Sequence, residues 1–143
     1  MRAINASKPS LIRIEADELT YALHIMIRYE IEKEIFNGEV DLKELPKIWN
    51  DKYEEYLGIR PSNDAEGVLQ DVHWSGGMFG YFPSYALGYM YAAQLHHAMR
   101  KELTNFDELC HNGEFEPILQ WLSKHIHQHG MMKTPLELIQ DAT

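Results

Sequence analysis

Apolar residues at Leu19, Leu23, Met26, Ile27, Ile31 and Ile35 recur at spacings of three and four, and this period constrains the fold more than any other feature of the chain. Such spacing lines one face of an α-helix and does not alternate across a strand. The run stops at Asn37-Gly38, residue types that end helices readily. Asp41 with Glu44 forms a D-x-x-E pattern ahead of Leu42, Leu45, Ile48 and Trp49. This pattern predicts a second helix opened by a capping box and stopped at Gly58. Arg60-Pro61-Ser62-Asn63-Asp64 then reads as a turn.

From Gly76 to Pro83 the chain is rich in glycine and aromatics, which predicts an irregular loop. A helix should follow from Ser84 to Leu103. In it Leu87, Tyr91, Leu95 and Met99 supply a packing stripe, and Ala86, Gly88, Ala92 and Ala93 permit close approach of a neighbour. That pattern places this helix at the centre of its domain. Asn112-Gly113 separates a short helix from another over Phe115 to His129, where Ile118, Leu119, Leu122 and Ile126 keep the helical period and Gly130 closes it. Thr134, Pro135 and Glu137 supply an N-cap, a proline at the first helical position and a capping-box partner. A helix so well started and followed so soon by Thr143 suggests a truncated chain. No segment alternates in the strand period and no repeat occurs, so the whole sequence reads as all-α.

With 143 residues and 45% apolar content, one packed domain is expected. The 13 basic and 22 acidic residues leave a net charge of -9, with no basic block to follow a phosphate backbone. That balance argues against nucleic acid and anionic membranes as partners. The single cysteine, Cys110, cannot close an internal disulfide and fits a reducing, cytoplasmic setting. Met1 to Leu11 lacks the apolar core of a signal peptide, and no stretch approaches the roughly 18 apolar residues of a membrane span, so a soluble protein is expected.

Eight histidines invite a search for a metal site, yet no H-E-x-x-H occurs. His125 and His129 are four apart, but Ile126-His127-Gln128 lies between them and no glutamate is placed as a base. They read better as a solvated helix end, where cationic side chains suit the dipole. His96 and His97 are adjacent and diverge by about 100° on a helix. There is no G-x-S-x-G elbow, phosphate-cradling loop or dinucleotide fingerprint. The segment from Gly67 to Tyr85 instead interleaves polar, aromatic and glycine residues as a cleft wall does. There His73 is suited to donate to a reacting oxygen, with Asp71 or Gln70 orienting it, and Tyr81 and Tyr85 to stabilise an oxyanion. The same residues also suit a core, with Trp74, Phe79, Phe82 and the tyrosines packed round a hydrogen-bonded histidine. Arg13, near Glu15 and Asp17 at the start of the first helix, is by default half of an intrahelical ion pair. Facing a substrate, its guanidinium fork would match the two oxygens of a carboxylate.

Two motifs shift the balance toward the functional reading. Ile12-Arg13-Ile14-Glu15-Ala16-Asp17 matches I-R-x-x-A-D, and Gly67 to Trp74 matches G-x-x-Q-D-x-H-W. In this order, and with the continuation from Phe79 to Gly88, they resemble the carboxypeptidase Taq type of thermostable zinc carboxypeptidase over nearly the whole chain. The resemblance implies that residues 1–143 are the multi-helix C-terminal portion of an H-E-x-x-H zinc peptidase fold. It implies a parent enzyme that releases single amino acids from peptide C-termini, uses one divalent metal, zinc or cobalt, and forms a cytosolic homodimer. The family's metal ligands and catalytic glutamate precede I-R-x-x-A-D, so this chain is expected to bind no metal and to be inactive alone. By the same resemblance Arg13 would bind the substrate's terminal carboxylate, and His73 and Tyr85 would contact the peptide or stabilise the tetrahedral intermediate. Gln70, Asp71, Trp74 and Tyr81 would line the substrate site. A non-catalytic helical module that binds peptides or assembles with a partner chain is the alternative, and a helical domain whose aromatic stretch is only core is a third reading. Apolar surface on the first helix and on the Ser84 to Leu103 helix is expected to make the isolated chain self-associate.

Overall fold

A computed structural model describes residues 6–143. Among them lie seven α-helices, joined by loops and 3-10 turns, and no strand: α1 (Tyr21–Phe36), α2 (Leu45–Leu57), α3 (Val72–Ser75), α4 (Pro83–Glu102), α5 (Phe106–Asn112), α6 (Glu116–His125) and α7 (Pro135–Ala142). The helices gather in two compact units where a single domain was expected, the first ending at Ala86 and the second spanning Leu87–Thr143. No described helix is long and apolar enough to cross a membrane.

The core of the first unit is the α1–α2 contact. Ile27 and Ile31 meet Trp49, Tyr53 and Leu57, which recur every four residues along α2. Burial of each large apolar side chain contributes about 1.5 to 3 kcal/mol. At the rim Lys52 bonds Glu30 and Glu34 at 2.6 and 3.2 Å, and the Tyr56 hydroxyl donates to Glu30 at 2.6 Å.

The buried side of α1 is not the purely apolar stripe. Leu19 is 77% exposed and Met26 45%, whereas His24, Arg28 and Glu32 are buried. Residues four apart stack along one face, so these three make a polar row beside the Ile27–Ile31 stripe. The row has partners elsewhere in this unit: Tyr53 for His24, Asp71 for Arg28 and the Gly80 N–H for Glu32.

Two expected helix starts shift. Asp41 accepts from the Lys43 N–H at 3.0 Å and caps only the 3-10 turn Leu42–Glu44, so the capping box does not form and Leu42 is left exposed. Pro46 explains the displacement, because proline lacks an N–H and suits a first helical turn, where it stands in α2. Nor does a helix begin at Arg13. Arg13–Glu15 is one 3-10 turn and α1 starts at Tyr21, after the Asp17 carboxylate has taken the N–H groups of Leu19 and Thr20 at 3.0 and 2.9 Å.

In the second unit Ala98, Met99 and Trp121 form the core, with Leu95, Leu103, Phe106, Ile118 and Leu122 packed on it. Only the C-terminal half of α4 is buried: Leu87, Gly88, Ala92 and Ala93 are exposed, so the helix is not the central element expected. Helix α6 ends at His125, short of His129, and His127–His129 forms a 3-10 turn. His125 stacks on Trp121 with centroids 4.3 Å apart. Thr134 opens α7 with the full capping box, the Thr134 N–H donating to Glu137 at 2.8 Å.

Candidate active site

The loop from Gly67 to Pro83 carries most of the candidate residues, and its glycines explain its shape. A Cβ on Gly67 would lie 3.1 Å from Asn50 Oδ1 and 3.2 Å from the Asn63 carbonyl, so any larger residue would crowd α2 and the preceding turn here. Gly80 has φ +74°, and its N–H points at the Glu32 carboxylate. The loop is thereby tied to α1.

Asp71 begins α3 as its N-cap. Its Oδ1 accepts from the N–H groups of His73 and Trp74 at 2.9 and 2.8 Å, and its Oδ2 accepts from Arg28 Nε at 3.1 Å. Both side chains are almost wholly buried. Asp71 therefore orients the backbone of His73 rather than its ring.

The His73 ring is set by aromatics. It stacks on Tyr81 at 5.6 Å and leans on Phe82 at 4.6 Å, and its Nε2 lies 3.0 Å from the Tyr85 hydroxyl. Arg13 joins this group from the other motif. Its Nη1 donates to the Tyr21 hydroxyl at 2.7 Å, and its guanidinium carbon lies 4.9 Å from the centre of the Tyr85 ring. The expected ion pair with Glu15 or Asp17 is absent among the described residues. Asp17 instead serves backbone amides, with Lys8 N at 2.7 Å as a further donor. The hydrogen bond from Thr20 contributes most to holding the Asp17 carboxyl at about 2, well below the usual carboxylate range.

Arg13, His73, Tyr81 and Tyr85 thus meet, with Asp71 buried beneath them. Gln70 and Trp74 are engaged elsewhere: the Gln70 amide donates to the Ala65 carbonyl at 2.5 Å, and the Trp74 ring sits edge-on to Trp49 at 5.8 Å. The arrangement offers a guanidinium, a phenol and an imidazole in one place. It can bind a carboxylate and donate to an oxygen that gains negative charge. No group of three or more His, Cys, Asp or Glu that could hold a metal occurs among the described residues, so these residues do not fit a metal centre of their own.

Sequence reasoning missed the support of this site. Arg28 Nη1 donates to the His24 carbonyl at 3.0 Å and the Tyr53 hydroxyl at 3.1 Å, and the Arg28 guanidinium lies between the Trp49 and Phe82 rings, 4.5 and 5.4 Å from their centres. Tyr53 also pairs with His24 Nδ1 at 3.0 Å. Burial, then the charges of Arg28 and Arg13, push His24 down to about 4. Burial likewise raises the Tyr53 phenol. The one available signal was the four-residue spacing of His24, Arg28 and Glu32 in a helix otherwise read by its apolar residues.

A family model for the carboxypeptidase Taq (M32) metallopeptidases matches residues 1–143. The chain is 66% identical over 143 residues to carboxypeptidase 1 of Bacillus subtilis (strain 168), covering 100% of this chain and 28% of that protein. It is 47% identical over 141 residues to thermostable carboxypeptidase 1 of Thermus thermophilus, covering 99% of this chain and 28% of that protein. Among solved structures, metallocarboxypeptidase 1 of Trypanosoma cruzi superposes with a TM-score of 0.94 at 50% identity, over 99% of this chain and 29% of that one. The chain therefore spans under a third of the length of the relatives it matches.

Proposed function

The chain belongs to the carboxypeptidase Taq family of metallopeptidases, and on that premise we propose that it forms one wall of the substrate cleft of an enzyme that hydrolyses the last peptide bond and releases C-terminal amino acids. The observation that carries this reading is the Arg13 guanidinium, which lies against Tyr85 and has no carboxylate partner among the described residues, while Tyr85 itself is bonded to His73. A peptide's terminal carboxylate would accept from Arg13, which explains a requirement for a free C-terminus. The Tyr85 hydroxyl would then face the last peptide carbonyl. With His73 Nε2–H donating to the phenol oxygen, the phenol proton is free to be donated to that carbonyl oxygen as it gains charge. Tyr81 would pack on the substrate beside them.

The full enzyme would carry a divalent metal, zinc or cobalt, on residues outside this chain, which by itself would be inactive. A cytoplasmic homodimer acting on peptides completes the reading; the family's name supports the peptide substrates, and the lack of an H-E-x-x-H in this sequence supports metal ligands outside it. The decisive experiment is Arg13→Ala in the longer protein, measured by release of C-terminal residues from peptides with free and amidated ends. Loss of this charge-assisted contact should cost about 2 to 5 kcal/mol in kcat/KM, with metal content unchanged. Normal activity on free C-termini would refute the assignment.

A further inference from the structure

Beneath the group proposed to meet the substrate lies a second arginine, Arg28, buried and bonded to Asp71, the His24 carbonyl and Tyr53. We infer that Arg28 is a positioning residue for the reaction, acting through Asp71 and Phe82 to set where His73 stands relative to Tyr85 and Arg13. This inference rests on the carboxypeptidase reading above.

Two routes lead from Arg28 to His73. The first is polar: Arg28 Nε bonds Asp71 Oδ2, and Asp71 Oδ1 holds the N–H groups of His73 and Trp74. The first turn of α3 is thereby anchored to α1, and α3 is only four residues long, too short to hold its own direction. The second route is through an aromatic ring. Phe82 is fully buried, with the Arg28 and Arg13 guanidinium carbons 5.4 and 5.7 Å from its centre and the His73 ring 4.6 Å away. Displacement of Arg28 would free the ring on which His73 leans, while Arg13 keeps its own bond to the Tyr21 hydroxyl.

Arg28 is itself over-determined. Nη1 is held by the His24 carbonyl and the Tyr53 hydroxyl, and the plane lies against Trp49. The planar fork serves several acceptors at fixed angles, and a lysine ammonium cannot reproduce that arrangement. Arg28→Lys keeps the buried charge opposite Asp71 but abandons the fork, so it tests geometry rather than charge balance. Displacement of a catalytic group by about 1 Å can cost about 100-fold in rate.

The test uses the longer protein. Arg28→Lys should lower kcat about 100-fold while KM for a free-ended peptide stays near its wild-type value. In a His73→Ala background the same change should cost little more, because the group it holds is gone. A penalty that multiplies through unchanged in that background, or a lowered Tm with kcat per folded molecule intact, overturns the inference. Carbon-13-labelled histidine gives a reading independent of turnover: the His73 ring signal, assigned by its loss in His73→Ala, should move or broaden in Arg28→Lys. An unmoved signal overturns the inference even if the wild-type protein cleaves no peptide, an outcome that would sink only the carboxypeptidase reading. If Arg28→Lys does not fold, Asp71→Asn interrogates the other half of the pair by the same measurements, with the same outcomes expected.

Discussion

At the scale of single residues, the proposed function makes Tyr85 the place where binding and chemistry would meet. Its ring lies against the Arg13 guanidinium and its hydroxyl is 3.0 Å from His73 Nε2. Tyr85→Phe keeps the ring contact and removes only the donor. Loss of one preorganised donor to a developing oxyanion typically costs 10²–10³ in kcat, so kcat should fall about 100-fold with KM little changed. Steady-state kinetics on a peptide with a free C-terminus check this. A raised KM with unaltered kcat would mean that the hydroxyl serves binding alone. The sequence marked Arg13 and His73 within two motifs and Tyr85 in the continuation after them, and the structure brings the three side chains together. Asp71 was only half legible. A carboxylate near a histidine reads as a partner for its ring, yet here it takes the backbone N–H, and residue type does not distinguish those uses.

Elements were legible where one physical signal dominated. Helices α1, α2, α4 and α7 lie close to where periodicity and caps put them, and α7 forms its capping box as expected. Boundaries moved where two signals competed, as at Asp41 against Pro46, or where the apolar period outlasted the helix, as between His125 and His129. Helix α1 hides the largest surprise. A charged residue in an amphipathic pattern reads as solvent-facing, so the four-residue spacing of His24, Arg28 and Glu32 did not read as a buried row until its partners on other elements were known. That row should make the α1–α2 contact sensitive to acid. His24 has no exposed surface and its Nε2 has no partner among the described residues, so a second proton gains no hydrogen bond and meets Arg28. Its pKa is about 4 folded against 6.5 ordinarily. Between these values the unfolded chain binds a proton that the folded one refuses. The stability contribution is therefore complete above about 6.5, falls as the pH drops toward 4, and amounts to about 3 kcal/mol at most. Urea midpoints between pH 7 and pH 4 should fall more steeply for the wild-type chain than for His24→Gln. Parallel profiles would show that His24 does not carry the effect.

At the scale of the whole molecule, apolar surface remains uncovered in each unit. Ile14, Leu19, Phe36, Leu69 and Val72 are exposed in the first; Leu87, Tyr89, Met90, Phe115, Leu119, Met131, Met132 and Leu136 are exposed in the second. Scattered exposed apolar residues are ordinary, but clustering along one element is not. On α4 the tract from Leu87 to Met90 is exposed throughout, and Ala92 and Ala93 extend it with small side chains. Gly88, Ala92 and Ala93 within it permit close helix contact, since such small residues lose little side-chain entropy on burial. A net charge of -9 opposes association at low ionic strength, and salt screens that repulsion without weakening apolar contact. The 143-residue chain on its own should therefore self-associate, more strongly as salt rises. Size-exclusion chromatography with light scattering should give a mass above 16.7 kDa that grows with concentration. Met90→Glu, placing a charge in the α4 tract, should shift the mass back toward that of one chain. A constant monomer mass across concentration and salt would mean that these residues are too dispersed to act as a patch, and the exposed face of α4 would then need no cover.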